Sequence, residues 1–483
     1  MEKKNKLKGI DIILIIISVI FFIFSILFYL AIIKSNLLSI KYINVITITE
    51  IIFTILIIIG LAKKHKTYKL NVICLIIAVI LSTIYVIGIN YINATTQFIG
   101  KAFTKIEETN EYYIVVKKDS NIKNIQDLEG KEVYNFNGEK EIEEKISNKV
   151  KINYKTTNSL TELGKNILSD SQKAILISAS QYDMLDDEIK DFKNNTKIIY
   201  KLLDEIQETA EEIDKNKDKD KGNKNNNYQI EDSKFNVYIS GIDTSGRITN
   251  VSRSDANIIA SINTKTHEIL LTSIPRDYYV TLHSKGVKDK LTHSGIYGIN
   301  ETISTVEDLL GIDINYYVRV NFNTVEKVVD TLGGVDVHSD YTFNAGGYHY
   351  EKGINHLNGK QALAFSRERH SFNSGDNQRI KDQQYVINAI INKALSTKIL
   401  TKYTSILNSL EGTFQTNINQ DEINKLVQMQ LDEMPSWNII NNSLTGSGDH
   451  RSTYSMGKQK LYVMIPNEAS IISAKEKINN ILK

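Results

Sequence analysis

The chain has 483 residues, with 58 Lys+Arg against 56 Asp+Glu and a formal net charge of +2. That length fits about two or three domains. A single cysteine, Cys74, excludes a disulfide framework or a thiolate metal cluster, and three prolines exclude a collagenous or proline-rich chain.

The apolar residues concentrate at the N-terminus, where Ile10–Ile33, Tyr42–Leu61 and Leu70–Ile92 are nearly uncharged. Each is long enough as a helix to cross a hydrocarbon core of ~30 Å. Residues 1–92 are therefore expected to form three transmembrane helices in a lipid bilayer. Three successive runs, with no small-residue cleavage site after the first, fit a secretory leader poorly. Lys3, Lys4, Lys6 and Lys8 precede the first run, and Lys63, Lys64, Lys66 and Lys69 fill the loop after the second. Positive loops stay cytoplasmic, so the N-terminus is expected inside and everything after about residue 93 outside the plasma membrane. Glu50, in mid-span, is expected at a helix–helix contact or protonated. Residues 1–92 hold +7 of the charge, so the remainder carries −5. A mildly acidic exterior argues against a nucleic-acid partner.

Residues 93–205 read as a small accessory α/β domain. Its strand candidates are Glu111–Lys117 and Lys173–Ser178, with a short helix ending at Gly130 between them. Residues 206–233 are charged, Asn-rich and almost free of apolar side chains, the composition of a flexible linker. Within 234–400, Phe235–Ile242, Asn257–Asn263, His267–Ser273, Tyr316–Val320 and Val335–His338 read as strands. Asn300–Leu310, Asn323–Leu332, Gln361–Phe365 and Asp376–Lys398 read as helices. This mixture predicts a sheet covered on both faces, an αβα sandwich within an α/β fold. Residues 401–483 are expected to extend it with a helix through about Glu433, a polar loop, a strand at Leu461–Ile465 and a closing helix.

Basic residues are chosen unevenly. There are 50 Lys and only eight Arg, none before Arg247. A chain that defaults to Lys uses Arg where a planar bidentate donor matters, on phosphate or on a buried carboxylate. Arg253-Ser254-Asp255, Arg276-Asp277, Arg367-Glu368-Arg369 and Asp376 with Arg379 keep arginine beside acid. Asp243 closes a strand in SGIDTSG, where it reads equally as a ligand or a turn-former. Arg253 and Asp255 immediately precede the next predicted strand. Arg379 and Gln383 share a helix face at i,i+4. Asp at a loop edge with clustered Arg suits a divalent cation and a polyphosphate together. Lys290 and His293 in DKLTHSGIYG read as solvated loop residues as readily as site residues. HExxH, GxSxG, P-loop and GxGxxG motifs are absent from the sequence, which argues against zinc-protease, serine-hydrolase, NTPase and dinucleotide chemistry.

The stretches YISGIDTSG, VSRSDANIIASINTKTHEILLTSIPRDYYV, DKLTHSGIYG, VNFNTVEKVVDTLGGVDV and LNGKQALAFSRERHSFNSGDNQRIKDQQYVINAII, in that order over about residues 235–395, resemble the LytR–CpsA–Psr family. Three N-terminal spans and an accessory segment look like its capsule-associated branch. Ala256 departs from the β-branched residue common after the Arg-Ser-Asp motif. The resemblance implies an extracellular phosphotransferase. It would move an anionic glycopolymer, teichoic acid or capsule-like, from a polyprenyl-pyrophosphate carrier to peptidoglycan through a phosphodiester. Carried over by motif, Asp243 and Asp255 match acids that hold Mg²⁺ (or Mn²⁺). Arg253, Arg276, Arg367, Arg369 and Arg379 match a pyrophosphate clamp with Gln383 beside it, and Lys290 and Asp376 occupy further motif positions. Asp376 and Asp255 are the candidate bases. The resemblance also implies a hydrophobic tunnel, which Ile387, Ile390, Ile391 and Leu395 fit by helical spacing, as they would fit ordinary core. A polyprenyl-pyrophosphate hydrolase and a non-catalytic envelope sensor are the competing readings.

Overall fold

The computed structural model describes residues 9–62, 69–102, 108–205, 233–242, 248–373, 375–394, 412–433 and 435–483. Long, nearly uncharged apolar stretches make helices α1 (Gly9–Ser35), α2 (Ile40–Ala62) and α3 (Lys69–Ala102). All three are long and apolar enough to cross a membrane. The third runs ten residues past the apolar stretch. Ser25 and Thr54 hydrogen-bond between α1 and α2 at 3.1 Å, and Tyr85 of α3 donates to Glu50 of α2 at 2.9 Å. Glu50 therefore sits at a helix–helix contact.

The chain divides into two units. One gathers the N-terminal helices with residues 418–436. The other holds residues 105–396, 412–417 and 437–483. The expected linker at 206–233 lies outside the described residues except for Ser233.

In the second unit, residues 108–205 build a five-stranded sheet from β1 (Thr109–Lys117), β2 (Glu132–Phe136), β3 (Asn153–Thr157), β4 (Ala174–Ser178) and β5 (Thr196–Glu205), in the order β3-β2-β4-β1-β5. Alternation along β1 sends Tyr113 and Val115 into one core and Tyr112, Ile114 and Val116 into the other. Helix α4 (Lys140–Ser147) covers the second face, and α5 (Leu160–Ser169) and α6 (Ala179–Glu188) cover the first. Ser159 caps α5, and Ser178 and Gln181 form a capping box on α6.

The larger sheet contains, among the described residues, β6 (Lys234–Ile242), β7 (Ser254–Asn263), β8 (Glu268–Ile274), β11 (Tyr316–Asn321), β16 (Phe414–Thr416) and β17 (Asn438–Ser443), ordered β16-β11-β6-β7-β8-β17. Strand β11 runs parallel to β6, and β17 parallel to β8; the other pairs are antiparallel. Between β8 and β11 lie the short pair β9 (Tyr279–Thr281) and β10 (Lys288–Lys290), then α7 (Leu291–Ser294) and α8 (Ile299–Leu310). After β11 come α9 (Phe322–Thr331), the antiparallel pairs β12 (Val335–Ser339) with β15 (Gly353–Leu357) and β13 (Phe343–Ala345) with β14 (Tyr348–Tyr350), then α10 (Gly359–Arg367) and α11 (Asp376–Ala394). Helix α12 (Gln420–Glu433) belongs to the first unit, where Ser39 donates to Asp432 at 2.9 Å and Gln428 to the Asn36 carbonyl at 2.8 Å. The hairpin β18 (Gly446–Thr453) with β19 (Gly457–Pro466) and α13 (Glu468–Ile481) complete the chain.

Adjacent strand residues again face opposite ways. Tyr238 and Ile259 enter the core beneath α8 and α13, whereas Ile239 and Ile258 face a cavity beneath α9, α10 and α11. This is the αβα sandwich. Two local readings are corrected. The segment 438–453, read as a polar loop, forms β17 and β18, because backbone pairing with β8 and β19 offsets poor strand composition. Asp255 lies inside β7 rather than before it.

The smaller sheet is built into the larger domain. Thr109 and Val251 donate backbone bonds to Thr249 and Thr109 at 2.9 and 3.0 Å, and Ser180 donates to the Val251 carbonyl at 2.8 Å. Met456 and Leu461 of the C-terminal hairpin sit in the core beneath α5 and α6. Arg319 of β11, 2% exposed at its side chain, donates to Glu108 at 2.5 Å and to the Asn250 carbonyl at 2.9 Å. Charge pairing offsets part of its burial cost.

Candidate active site

The cavity under α9–α11 has a volume of about 440 Å³. Asp255, Arg276, Arg367, Arg369, Arg379 and Gln383 line it together with apolar residues. Their order along α11 gives the cavity two ends. Arg379 and Gln383 come first, and Ile387, Ile390 and Ile391 follow one to three turns later, ~6–18 Å along the axis at 1.5 Å per residue. The strands repeat this order: Asp255 lies at the start of β7, and Ile258 lies deeper beside Ile239 of β6. Ile387, Ile390 and Ile391 therefore line open space rather than filled core; Leu395 lies outside the described residues. Arg367 ends α10, and Arg369 follows an extended Glu368, so a helix end and a short turn bring both to the same wall.

Asp255 organises the polar end. Arg276 donates to its Oδ2 at 3.0 Å and Thr292 to its Oδ1 at 2.8 Å. Burial works to raise its pKa, but the charges of Arg276, Arg253 and Arg379 and the Thr292 bond prevail and hold it well below the carboxylate range. It stays ionised at neutral pH. Asp277 behaves alike: burial opposes ionisation, and Lys290 at 3.1 Å and Arg276 at 3.7 Å overcome it. Both carboxylates are poor proton acceptors for that reason.

A second cavity of about 220 Å³ is polar. Arg253, Lys290, Asp277, Thr292 and His293 line it, together with Met184, Asp187 and Glu188 of α6. Asp187, Arg276 and Arg369 line both cavities, so the two meet at the arginines. Arg253, 6% exposed, forms an ion pair with Asp187. It faces the polar cavity, whereas the other four clamp arginines line the apolar one. Lys290 is held by Asp277, and His293 is 4% exposed, so neither is a solvated loop residue.

Besides Leu395, two predicted site residues are not placed. Asp243 lies outside the described residues; Ile242 before it pairs with Ser254. Asp376 is the first residue of α11, with its side chain outside the described part. Among the described residues no group of three or more His, Cys, Asp or Glu is arranged around a metal. Three features were not singled out from the sequence. Asp187 and Glu188 lie in an ordinary acidic run. Asp289 bonds His293, and its i,i+4 spacing was the available signal. Glu108 precedes β1 without any motif.

A model described as the LytR_cpsA_psr family matches residues 199–471, more than half of the chain. The chain belongs to the LytR–CpsA–Psr family. Relatives of this LytR–CpsA–Psr protein include TagU from Bacillus mycoides, named polyisoprenyl-teichoic acid–peptidoglycan teichoic acid transferase. It is 34% identical over 227 residues, 46% of this chain and 74% of TagU. The Bacillus licheniformis protein of the same name is 34% identical over 250 residues, 52% of this chain and 79% of that relative. Among solved structures, B. subtilis TagU is 32% identical, covering 52% of this chain and 97% of TagU, with a TM-score of 0.41. Most of the smaller sheet, residues 108–198, precedes the region matched by the LytR–CpsA–Psr model.

Proposed function

We propose that this protein is a membrane-anchored phosphotransferase. It moves an anionic glycopolymer, teichoic acid or a capsule-like polysaccharide, from a polyprenyl-pyrophosphate carrier to a peptidoglycan hydroxyl. The observation that carries the reading is the two-ended cavity, cationic at the start of α11 and apolar further along it. An anionic head on a long hydrocarbon tail has that pattern. The relatives' transferase names support the same reaction.

Charge builds on the bridging oxygen as the pyrophosphate bond breaks. Arg276, Arg367, Arg369 and Arg379 offer planar charged donors to those oxygens, with Gln383 as a neutral donor beside them. Arg253 and Lys290 extend the cationic field into the polar cavity. A divalent cation, Mg²⁺ or Mn²⁺, fits the donor chemistry. Asp255 is a carboxylate kept ionised in the wall, and with Asp243 it would leave the other positions to water and phosphate oxygens. Such an ion would neutralise charge on the phosphates. Asp376, at the start of α11, belongs to the same proposed site.

The lysines flanking α1 and α2–α3 support a cytoplasmic N-terminus. Residues of α12 contact the α1–α2 connection, and in the proposed orientation that connection would be exterior.

The test is transfer from a synthetic polyprenyl-pyrophosphate glycan by the full-length protein in nanodiscs with Mg²⁺, with and without peptidoglycan oligomers. Acceptor-dependent product is expected, reduced about 10²-fold or more in Arg367→Ala and Asp255→Ala. Lipid phosphate released without acceptor would identify a hydrolase. Tight carrier binding without turnover would identify a sensor.

A further inference from the structure

We infer that the polar cavity between α6 and the arginines receives the acceptor sugar, and that His293 takes the proton from its attacking hydroxyl. The inference rests on the transferase reading and locates the half of the reaction that the apolar cavity leaves unassigned. The carrier's tail fits the cavity with apolar walls. The polar cavity adjoins it, sharing Asp187, Arg276 and Arg369 in its lining. A pyrophosphate on those arginines would have its lipid on one side and an open polar space on the other. Displacement at phosphorus needs the attacking and leaving oxygens roughly in line across the reacting atom, which an acceptor in the polar cavity and a carrier in the apolar one would meet at the shared arginines. Three carboxylates and four cations line the space together, which suits a polyhydroxyl ligand.

His293 is the member of that lining built to move a proton. Asp289 is fully buried, and its Oδ1 accepts from His293 Nδ1 at 2.6 Å. Its Oδ2 accepts from the Ser455 backbone and hydroxyl at 2.8 and 2.6 Å. An ionised carboxylate only accepts, so Nδ1 carries the hydrogen and Nε2 is the basic nitrogen. No hydrogen bond to Nε2 occurs among the described residues, and His293 is one of the residues that line the cavity. Lys290, Arg253, Arg276 and Arg369 and the carboxylates Asp187, Glu188 and Asp277 share that space with it.

In the step, the acceptor oxygen bonds to the glycan-bearing phosphorus, and its proton passes to His293 Nε2. The bond from that phosphorus to the bridging oxygen breaks, and the electron pair leaves with polyprenyl phosphate. His293 then returns the proton to solvent. The accessory domain thus supplies one wall of the acceptor site through Met184, Asp187 and Glu188.

The experiment uses the nanodisc assay with a muramyl oligosaccharide acceptor. His293→Gln is expected to lose about 10²–10⁴-fold in kcat, with the carrier KM unchanged and the acid limb of the kcat/KM pH profile abolished. Glu188→Trp, at an exposed position away from the His293–Asp289 pair, is expected to raise the acceptor KM at least about tenfold without changing the carrier KM. If His293→Gln does not fold, Glu188→Trp alone decides the location. An unchanged acceptor KM in Glu188→Trp, or a retained acid limb in folded His293→Gln, would overturn the inference while leaving the transferase intact. Absence of acceptor-dependent product in the wild type would sink both.

Discussion

At the scale of single residues, burial decides which titrating groups are free to act. Asp382 of α11 is fully buried, and burial, with the charge of Asp340 adding to it, pushes its pKa up to about 7 despite a 3.0 Å bond from Gln378. An acid raised in the folded state is stable when protonated, and that advantage is lost as pH rises from about 4 through about 7. Asp382→Asn is therefore expected to leave stability at pH 4 nearly unchanged and to raise it at pH 8 by on the order of a few kcal/mol. Urea denaturation at the two pH values checks this; equal gains at both would refute it. Asp255 and Asp277 act in the opposite sense, stabilising above the ordinary carboxylate range and losing that contribution as pH falls through their lowered values. The arginine positions were legible because arginine is rare in this lysine-rich chain. His293 was not legible. Its motif looks like a loop, and only the packing that buries Asp289 beneath it and turns Ser455 onto the same carboxylate gives the imidazole a defined orientation.

At the scale of elements, the site depends on how closely α7 lies on β7. A Cβ at Gly295 would meet the Ser252 carbonyl oxygen at 2.5 Å and the Ser254 nitrogen at 2.8 Å. Thr292 and His293 ride on that turn, one bonding Asp255 and the other facing the polar cavity. Gly295→Ala is expected to cost about 1–3 kcal/mol through overpacking and to lower transfer beyond the loss of folded protein. Thermal melts and specific activity of the folded fraction measure the two effects separately. The central strands and helices were readable from periodicity because their apolar faces pack onto the sheet. Strand β17 was not: Asn438–Ser443 is polar and mostly exposed or half-buried, and its partner β8 defines it. The two-ended cavity was half legible. Helical spacing placed the isoleucines on one face, but only the gap between α9–α11 and the sheet distinguishes lining from core.

At the scale of the whole molecule, Glu108 is a junction. It accepts from Arg319 of the central sheet and from the Ile299 nitrogen at the start of α8. Glu108→Gln leaves a buried guanidinium without its counter-charge and is expected to cost about 3–5 kcal/mol. Adding Arg319→Met should recover much of that, as measured by urea midpoints of the double variant. The smaller sheet also lacks part of its own core. Met456 and Leu461, which close the space beneath α5 and α6, lie more than 260 residues beyond α6. Ribosomes add about 5–20 residues per second. The first sheet must therefore wait roughly 13–55 s, its apolar face incomplete, until the C-terminal hairpin has been made. Until then that face is open to the misassembly that transiently exposed apolar surface invites.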